Sequence, residues 1–222
     1  MNLKSDLVSI IIPLYNVEKF ILETLLSIKN QSYTNFEVIM YDDASTDNTI
    51  EIVRTFCEDD VRFKLYRNKQ NLQIAQTLNN CLKIAKGNFI ARCDGDDIMH
   101  KERLDIQLEY LKKHRHIGLV GNSYFTINEN SEVIGKSVFP SGFVLLKKLA
   151  KYKPPVSHIW MARRAVYDKV GAYRLSSVED YDFLLRCMKH GIEFDNISDY
   201  FGMFIRIRSG NTVSKFGLVQ RI

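Results

Sequence analysis

Three acidic clusters carry the chemistry open to this sequence. In NFIARCDGDDIMH, the apolar run Phe89-Ile90-Ala91 leads into Asp94, Asp96 and Asp97. Like charges packed this closely repel, and the repulsion becomes affinity once a cation arrives. An Asp-x-Asp pair at a strand end suits magnesium or manganese, which take one or two carboxylates and complete their shells with water and substrate phosphates. An EF-hand is excluded by spacing: counted from Asp94, Ile98 and Met99 fall at the fifth and sixth loop positions, and no Glu stands twelfth. A metal-dependent phosphatase would use Asp94 as a nucleophile ending the fold's first strand, but here three strand–helix units precede it. A solvated acidic turn ahead of a helix remains the reading that needs no ligand.

The second cluster is Asp42-Asp43-Ala44-Ser45-Thr46-Asp47. A carboxylate there can accept from the imide N–H of a base such as uracil. A helix start decorated with caps and acids explains Ser45 and Asp47 well, and Asp42-Asp43 less well. The third is Glu179-Asp180-Tyr181-Asp182, ahead of Phe183, Leu184 and Cys187. Acids in a first helical turn are favourable through the helix dipole alone. A crowded acidic site also raises a carboxylate's pKa and makes it a better base.

The elements that would position these groups alternate. Val8–Ile12, Phe36–Tyr41, Phe63–Arg67 and Phe89–Cys93 read as strands. Val17–Asn30, Asn48–Cys57, Ile74–Ala85 and Lys101–Lys113 read as helices. Asn16 and Ser45 are expected as N-caps, and Gly87 as a helix-ending glycine. This pattern predicts right-handed βαβ units and a parallel sheet covered by helices, with ligands beyond the carboxyl ends of the strands. Tyr15-Asn16, Asp42-Asp43 and Asp94–Asp97 all fall there. Beyond residue 117 the alternation stops. A hairpin is expected from Leu119–Ile127 and Val133–Phe139, then an amphipathic stretch over Phe143–Lys153 and a short apolar run, Ile159–Met161. Helices near Arg164–Val170 and Glu179–His190 follow, and a strand over Phe201–Ile207. One domain over 1–222 is expected, with a nucleotide-type half to about residue 116 and a more variable half after it.

Composition bounds the rest. With 222 residues, 45% apolar and 26% charged, the chain can bury a sizeable core. No apolar run approaches the roughly 20 residues that cross a bilayer, and MNLKSDLVSIIIP has no signal-peptide pattern. Cys57, Cys81, Cys93 and Cys187 follow no zinc or C-x-x-C spacing and read as small core residues of a reducing compartment. A cytoplasmic location is expected. The net charge of +5 suits an anionic ligand or an acidic membrane surface, and no nucleic-acid motif occurs. On FVLLKKLAKYK, Leu145, Leu146, Leu149 and Tyr152 would share one helical side, with Lys147, Lys148 and Lys151 opposite. Such a helix can rest on an anionic membrane or simply hold its lysines in water.

Taken in order, the motifs resemble those of the inverting family 2 glycosyltransferases. VSIIIPLYN and YDDASTDNT resemble the family's first strand and its DDGSTDNT turn. LNNCLKIAKGNFIARCDGDD resembles LNxGIxxAKGxYIxxxDxDD. VGAY followed by EDYDFLLR resembles VGGY…EDYDLWLR, and RIRSGNTVS resembles the end of the catalytic half. The resemblance implies an α/β, GT-A (Rossmann-like) fold: a mostly parallel central sheet flanked by helices, with a smaller irregular acceptor-binding half. It implies transfer of a sugar from a nucleotide-sugar, UDP first, with Mn2+ or Mg2+. The acceptor would be a glycan or polyprenyl-linked molecule in O-antigen or capsule synthesis, reached from the inner face of the membrane.

Carried over residue by residue, the resemblance places Pro13 and Tyr15 at the base, with the Tyr ring stacked on it. Asp43 would hydrogen-bond the base. Asp94 and Asp96 match the D-x-D, Asp96 on the metal and Asp94 on ribose or the metal's shell. Asp180 would be the catalytic base, and Glu179 would position the acceptor. The chain departs from the pattern at several positions. Ala44, Gln73 and Cys81 stand where many members have Gly. Arg208 stands where many have a metal-binding His; an Arg cannot ligate a cation but can pair with phosphate oxygens. His158, in VSHIWM, lies beside the family's usual His position and, with Glu179 and Arg208, is a candidate contact to acceptor or phosphate, or simply a partly buried polar residue. A phosphatase using Asp94 and a non-catalytic nucleotide-binding scaffold are the alternatives.

Overall fold

The structure is a computed structural model that describes residues 6–175 and 177–208. Four strands, β1 (Val8–Leu14), β2 (Phe36–Asp42), β3 (Phe63–Arg67) and β4 (Phe89–Arg92), pair in parallel in the order β3-β2-β1-β4. The crossovers are α1 (Ile21–Lys29), α2 (Thr49–Glu58) and α3 (Gln73–Ile84). The chain steps outward from β1 to β3, then returns to the other side of β1. That places a topological switch point between β1 and β4, where ligands of open α/β sheets bind.

The period-two pattern of the strands splits the core between the two faces of the sheet. Ile10, Ile12 and Leu14 pack with Leu25 and Ile28 of α1 on one side. Ile11, Ile39 and Ile90 pack with Leu78 and Cys81 of α3 on the other. Pro13 is tolerated inside this sheet because β1–β4 pairing ends at Ile11–Arg92. The nitrogen of Pro13 faces the side where no ladder partner is left.

The second half extends the same sheet. It comprises β5 (Ile98–Met99), α4 (Arg103–Lys113), β6 (Ile117–Ile127), β7 (Val133–Ser137), α5 (Phe143–Leu149), β8 (Met161–Arg163), α6 (Arg164–Val170), α7 (Glu179–Lys189) and β9 (Glu193–Arg206). The order continues β4-β8-β6-β9-β5. Here β8 runs antiparallel to β4 and β6, while β6 and β9 are parallel. The expected hairpin is present as β6 and β7, and the strand expected from Phe201 begins at Glu193. The buried Trp160 stacks on Phe183 of α7 at 5.7 Å between centroids, and its indole N–H donates to the Tyr167 hydroxyl at 3.0 Å. This packing fixes α7, and with it the third acidic cluster, against the sheet.

Several local expectations are corrected. The first helix begins at Ile21, not Val17. Asn16 is not its cap but sits at φ +51, a conformation Asn tolerates. Ser45 does not cap α2; its hydroxyl accepts from the Asn16 N–H at 3.0 Å. The turns after β1 and β2 cap one another instead. The Val17 N–H donates to Thr49 Oγ1, the Glu18 N–H to Asp47 Oδ2, and the Asn48 N–H to Glu18 Oε2. The amphipathic stretch is helical only from Phe143 to Leu149. Leu146 is buried and Leu149 packs on the core, whereas Leu145 and Tyr152, expected on the same side, are exposed together with Val144, so the expected apolar side is split.

Gly87 is no left-handed helix end; α3 closes at Ala85. A Cβ at Gly87 would lie 2.5 Å from the Leu7 carbonyl and 2.6 Å from the Ser9 nitrogen. Backbone, not a flexible side chain, is in the way. Gly87→Ala is therefore expected to destabilise the fold by about 1–3 kcal/mol, the usual cost of overpacking. Urea denaturation measures it, and an unchanged midpoint would show that the β1–β4 edge yields freely.

Candidate active site

The carboxyl ends of β2, β1 and β4 lie side by side at one edge of the sheet. Tyr15, 46% exposed, follows β1 and offers a ring to solvent, with the half-buried Pro13 behind it. The mutually capped turns hold this stretch rigidly, which is the physical role of Asn16, Ser45, Asp47 and Thr49. Asp43 follows β2 and is buried. Its Oδ1 accepts from Asn68 Nδ2 and from the Leu72 N–H, both at 2.8 Å. Asp42 is buried beside it; Arg67 reaches its Oδ2 at 3.2 Å. Ala44 and Gln73 stand at φ +60 and +66. Two departures from the family's glycines thus keep the left-handed backbone that glycine favours, at roughly 1–2 kcal/mol each. Cys81 shows no such strain and lies buried in α3.

The D-x-D turn follows β4. Gly95 packs between its acids and α1; a Cβ there would come within 2.8 Å of Leu14 and 3.2 Å of Val17. Asp94 is held on both oxygens: Oδ1 accepts from Arg92 Nε at 3.2 Å, and Oδ2 lies 3.3 Å from His158 Nε2. Burial pushes the Asp94 carboxyl up, but the Arg92 charge and the His158 contact outweigh it and hold the group well below the usual carboxylate range. Desolvation pulls the His158 imidazole down, and Asp94 more than reverses this. Asp96 is buried, and its Oδ2 accepts from Arg208 Nε at 2.6 Å. Asp97 accepts from the Arg206 N–H at 2.9 Å. Burial, then the charges of Asp96 and Asp94, push the Asp97 carboxyl far up; burial also raises Asp96 despite Arg208.

These donors fit a hard divalent cation. One atom each from Asp94, Asp97 and His158 lies within 4.8 Å of the others, and the mutual repulsion of the three acids is what a cation would relieve. The sequence pattern pointed to Asp94 and Asp96. In the structure the tight donor group joins Asp94 to Asp97 and His158, while the Asp96 carboxylate pairs with Arg208. Asp97 is read with the acidic cluster but given no ligand role there, and His158, 64 positions along the chain from Asp94, is reached only through the resemblance, as an acceptor or phosphate contact and not as a metal donor.

The third cluster opens α7. Glu179 is buried, and its Oε1 accepts from Arg92 Nη1 at 3.0 Å. Burial raises its pKa, Arg92 opposes this, and Asp180 adds to it. Asp182 pairs with Arg174 and Arg186, bracing the helix start. Asp180 is half-buried and accepts from the Tyr181 N–H at 2.7 Å. Its charge is felt by Arg92, His158 and Glu179, so it lies within electrostatic reach of the acidic turn. Arg92 joins the two clusters, and sequence reasoning passed over it. The available signal was a lone charge ending an apolar strand. Arg208 is the last described residue; the rest of the RIRSGNTVS motif, from Ser209 on, lies outside the described residues.

The model of the family described as Glycosyl transferase family 2 matches residues 9–171. This chain belongs to glycosyltransferase family 2. EpsE of Bacillus subtilis (strain 168) is 37% identical over 201 residues, which cover 86% of this chain and 70% of EpsE. The UDP-Glc:alpha-D-GlcNAc-diphosphoundecaprenol beta-1,3-glucosyltransferase WfgD of Escherichia coli is 40% identical over 143 residues, 64% of this chain and 55% of WfgD. Among solved structures, S. aureus TarS 1-349 in complex with UDP-GlcNAc superposes with a TM-score of 0.77 at 26% identity, covering 93% of this chain and 60% of that one. The family 2 chain thus has the expected GT-A-type α/β fold, and it spans little more than half the length of WfgD and TarS 1-349. Among the described residues, no helix is long and apolar enough to cross a membrane.

Proposed function

We propose that this glycosyltransferase moves a sugar from a UDP-sugar to a hydroxyl of a glycan or polyprenyl-linked acceptor in surface polysaccharide synthesis, with inversion at the anomeric carbon. The observation that carries this reading is the difference between two adjacent acids. Glu179 is tied to Arg92, whereas Asp180 stands half-buried beside it with no ion pair among the described residues. The complexes of TarS with UDP-GlcNAc and UDP, and the UDP-Glc and diphosphoundecaprenol in the name of WfgD, support the donor and acceptor classes.

Residues to about 116 form the donor half. Tyr15 and Pro13 face the base and Asp43 accepts from its imide N–H. The remainder, to 222, supplies the acceptor side. Mn2+ or Mg2+ would be held at the acidic turn by Asp94 and Asp96, with Asp97 and His158 as further donors, and when bound supplies positive charge beside the diphosphate. Arg208 leaves Asp96 to pair with phosphate oxygens as negative charge builds there. Asp180 takes the proton from the acceptor hydroxyl as that oxygen attacks the anomeric carbon. The bond to the diphosphate breaks on the opposite face through an oxocarbenium-like transition state. Glu179 shapes the acceptor side of the crevice.

A panel of UDP, GDP, dTDP and CMP, each with manganese or with a chelator, tests the donor site by thermal shift. UDP with manganese is expected to stabilise the protein most. Asp96→Ala should abolish the manganese-dependent part, and Arg208→Ala should shrink the UDP shift. An unchanged shift in both variants would remove the acidic turn from the donor site. Slow hydrolysis of a UDP-sugar by the parent protein separates an enzyme from a binding scaffold.

A cytoplasmic protein resting on the inner membrane face is part of this reading. Lys147, Lys148, Lys151 and Lys153 are exposed beside Val144, Leu145 and Tyr152. This basic, apolar-tipped patch suits an anionic bilayer. Sedimentation with vesicles containing anionic lipid is expected, and is expected to fall when Lys147, Lys148 and Lys151 become Glu; equal sedimentation would remove the patch from membrane contact.

A further inference from the structure

Arg92 ends β4 and belongs to neither acidic motif. Its side chain is 2% exposed. The guanidinium reaches Asp94 through Nε and Glu179 through Nη1, so one rigid group holds carboxylates from the two halves of the chain. Its backbone is fixed as well. The Arg92 N–H donates to the Trp160 carbonyl at 3.1 Å, and the Arg92 carbonyl accepts from Arg103 Nη2 at 2.9 Å. Arg103 is itself fully buried and also reaches the Ile159 carbonyl.

Stability alone gives little reason for such a group. A buried ion pair is often no better than apolar packing of the same volume. What an arginine offers here is geometry: a planar fork that sets two carboxylates at fixed positions relative to each other. With Oδ1 of Asp94 held by Arg92, Oδ2 is left toward His158. With Glu179 held inward, its neighbour Asp180, about 100° round the helix, is the acid left for the crevice.

We propose that Arg92 is a positioning residue for glycosyl transfer, its guanidinium locking Asp94 of the donor turn to Glu179 at the start of α7 and so setting the distance from bound donor to Asp180. This rests on the reading of Asp94 as a donor-site group and Asp180 as the base. Arg92 acts through its neighbours, so turnover depends on it more steeply than donor affinity does. A misplacement of about 1 Å costs a reaction roughly 100-fold.

Three variants test this: Arg92→Lys, Arg92→Met and the pair Arg92→Met with Glu179→Gln. Melting temperature, UDP affinity with manganese, and kcat and KM for transfer are measured on each. Lysine keeps the charge but not the fork. It is expected to leave the melting temperature and UDP affinity close to the parent's while kcat falls about 10- to 100-fold. Arg92→Met should lower the melting temperature by leaving buried carboxylates unpaired. Adding Glu179→Gln should recover part of that loss and none of the kcat. Parent-like turnover in Arg92→Lys would overturn the proposal, as would recovery of both melting temperature and kcat in the double variant. A fall in UDP affinity as large as the fall in kcat/KM would also overturn it, making Arg92 a support for donor binding alone. A parent protein that turns over no nucleotide-sugar would overturn the proposed function and this role with it, whereas an active parent with a fully active Arg92→Lys removes Arg92 only.

Discussion

Asp180→Asn is expected to lower transfer by about 10²–10⁴, the usual contribution of a positioned general base, while UDP and metal still bind. Asn keeps the volume and can still hydrogen-bond an acceptor hydroxyl, but it does not take the proton. In the proposed reading the donor side rests on the strand ends of the first half, which this substitution does not touch. The neighbouring acids serve as controls. Asp182 is engaged by Arg174 and Arg186, so Asp182→Asn should cost stability at the helix start more than catalysis. Glu179→Gln weakens the tie to Arg92 and should act by misplacing Asp180. Initial transfer rates and UDP affinities for the three single variants decide among them. An active Asp180→Asn beside an inactive Glu179→Gln would move the base to Glu179. Three active variants would rule out base catalysis from this helix.

Replacing Asp43 is expected to weaken UDP binding by about 1.5–3 kcal/mol, the loss of a charged hydrogen bond, or roughly 10- to 150-fold in affinity. The structure divides that effect in two. Asp43 Oδ1 also accepts from Asn68 and from the Leu72 N–H, so Asp43→Ala should loosen the entry to α3 as well as remove the proposed contact to the base. Asp43→Asn separates the two. Its carbonyl oxygen can still accept both bonds, but its amide presents N–H groups where the imide needs an acceptor. Asn should therefore keep the parent's melting temperature and lose affinity nearly as Ala does. Calorimetric titration of UDP on both variants measures this, and parent-like affinity in Asp43→Asn would leave Asp43 a structural acid of the β2 turn.

The sequence by itself determined the framework. β-Branched runs alternating with amphipathic segments give four parallel strands and their crossovers, because a central strand such as β1 must be apolar on both faces and each helix on one. The ordered motifs identify the family, and they place Tyr15, Asp43 and Asp94 beyond strand ends, since a strand that stops there leaves its next residue in the crevice. Helix starts were less legible. Ser45 and Asn16 have the composition of caps, but their partners lie across the gap between two turns, and local spacing cannot show which backbone N–H a hydroxyl will meet. Gly87 has the position of a helix-ending glycine; only the approach of β1 shows that it is there for lack of a side chain. On α5 the periodic leucines were readable, but the direction they face is set by the core beneath them.

Tertiary structure alone decided the wiring of the acids. His158 meets Asp94, Arg208 meets Asp96, and Arg92 spans Asp94 and Glu179 because β4, β8, β9 and α7 are brought to one place by sheet order. Those pairings join residues 64 to 112 positions apart, apart from Arg92 with Asp94, and no periodicity encodes them. Which of several adjacent carboxylates is tied and which remains open to a substrate follows from that wiring, since burial makes each charge seek whatever partner the fold places within reach.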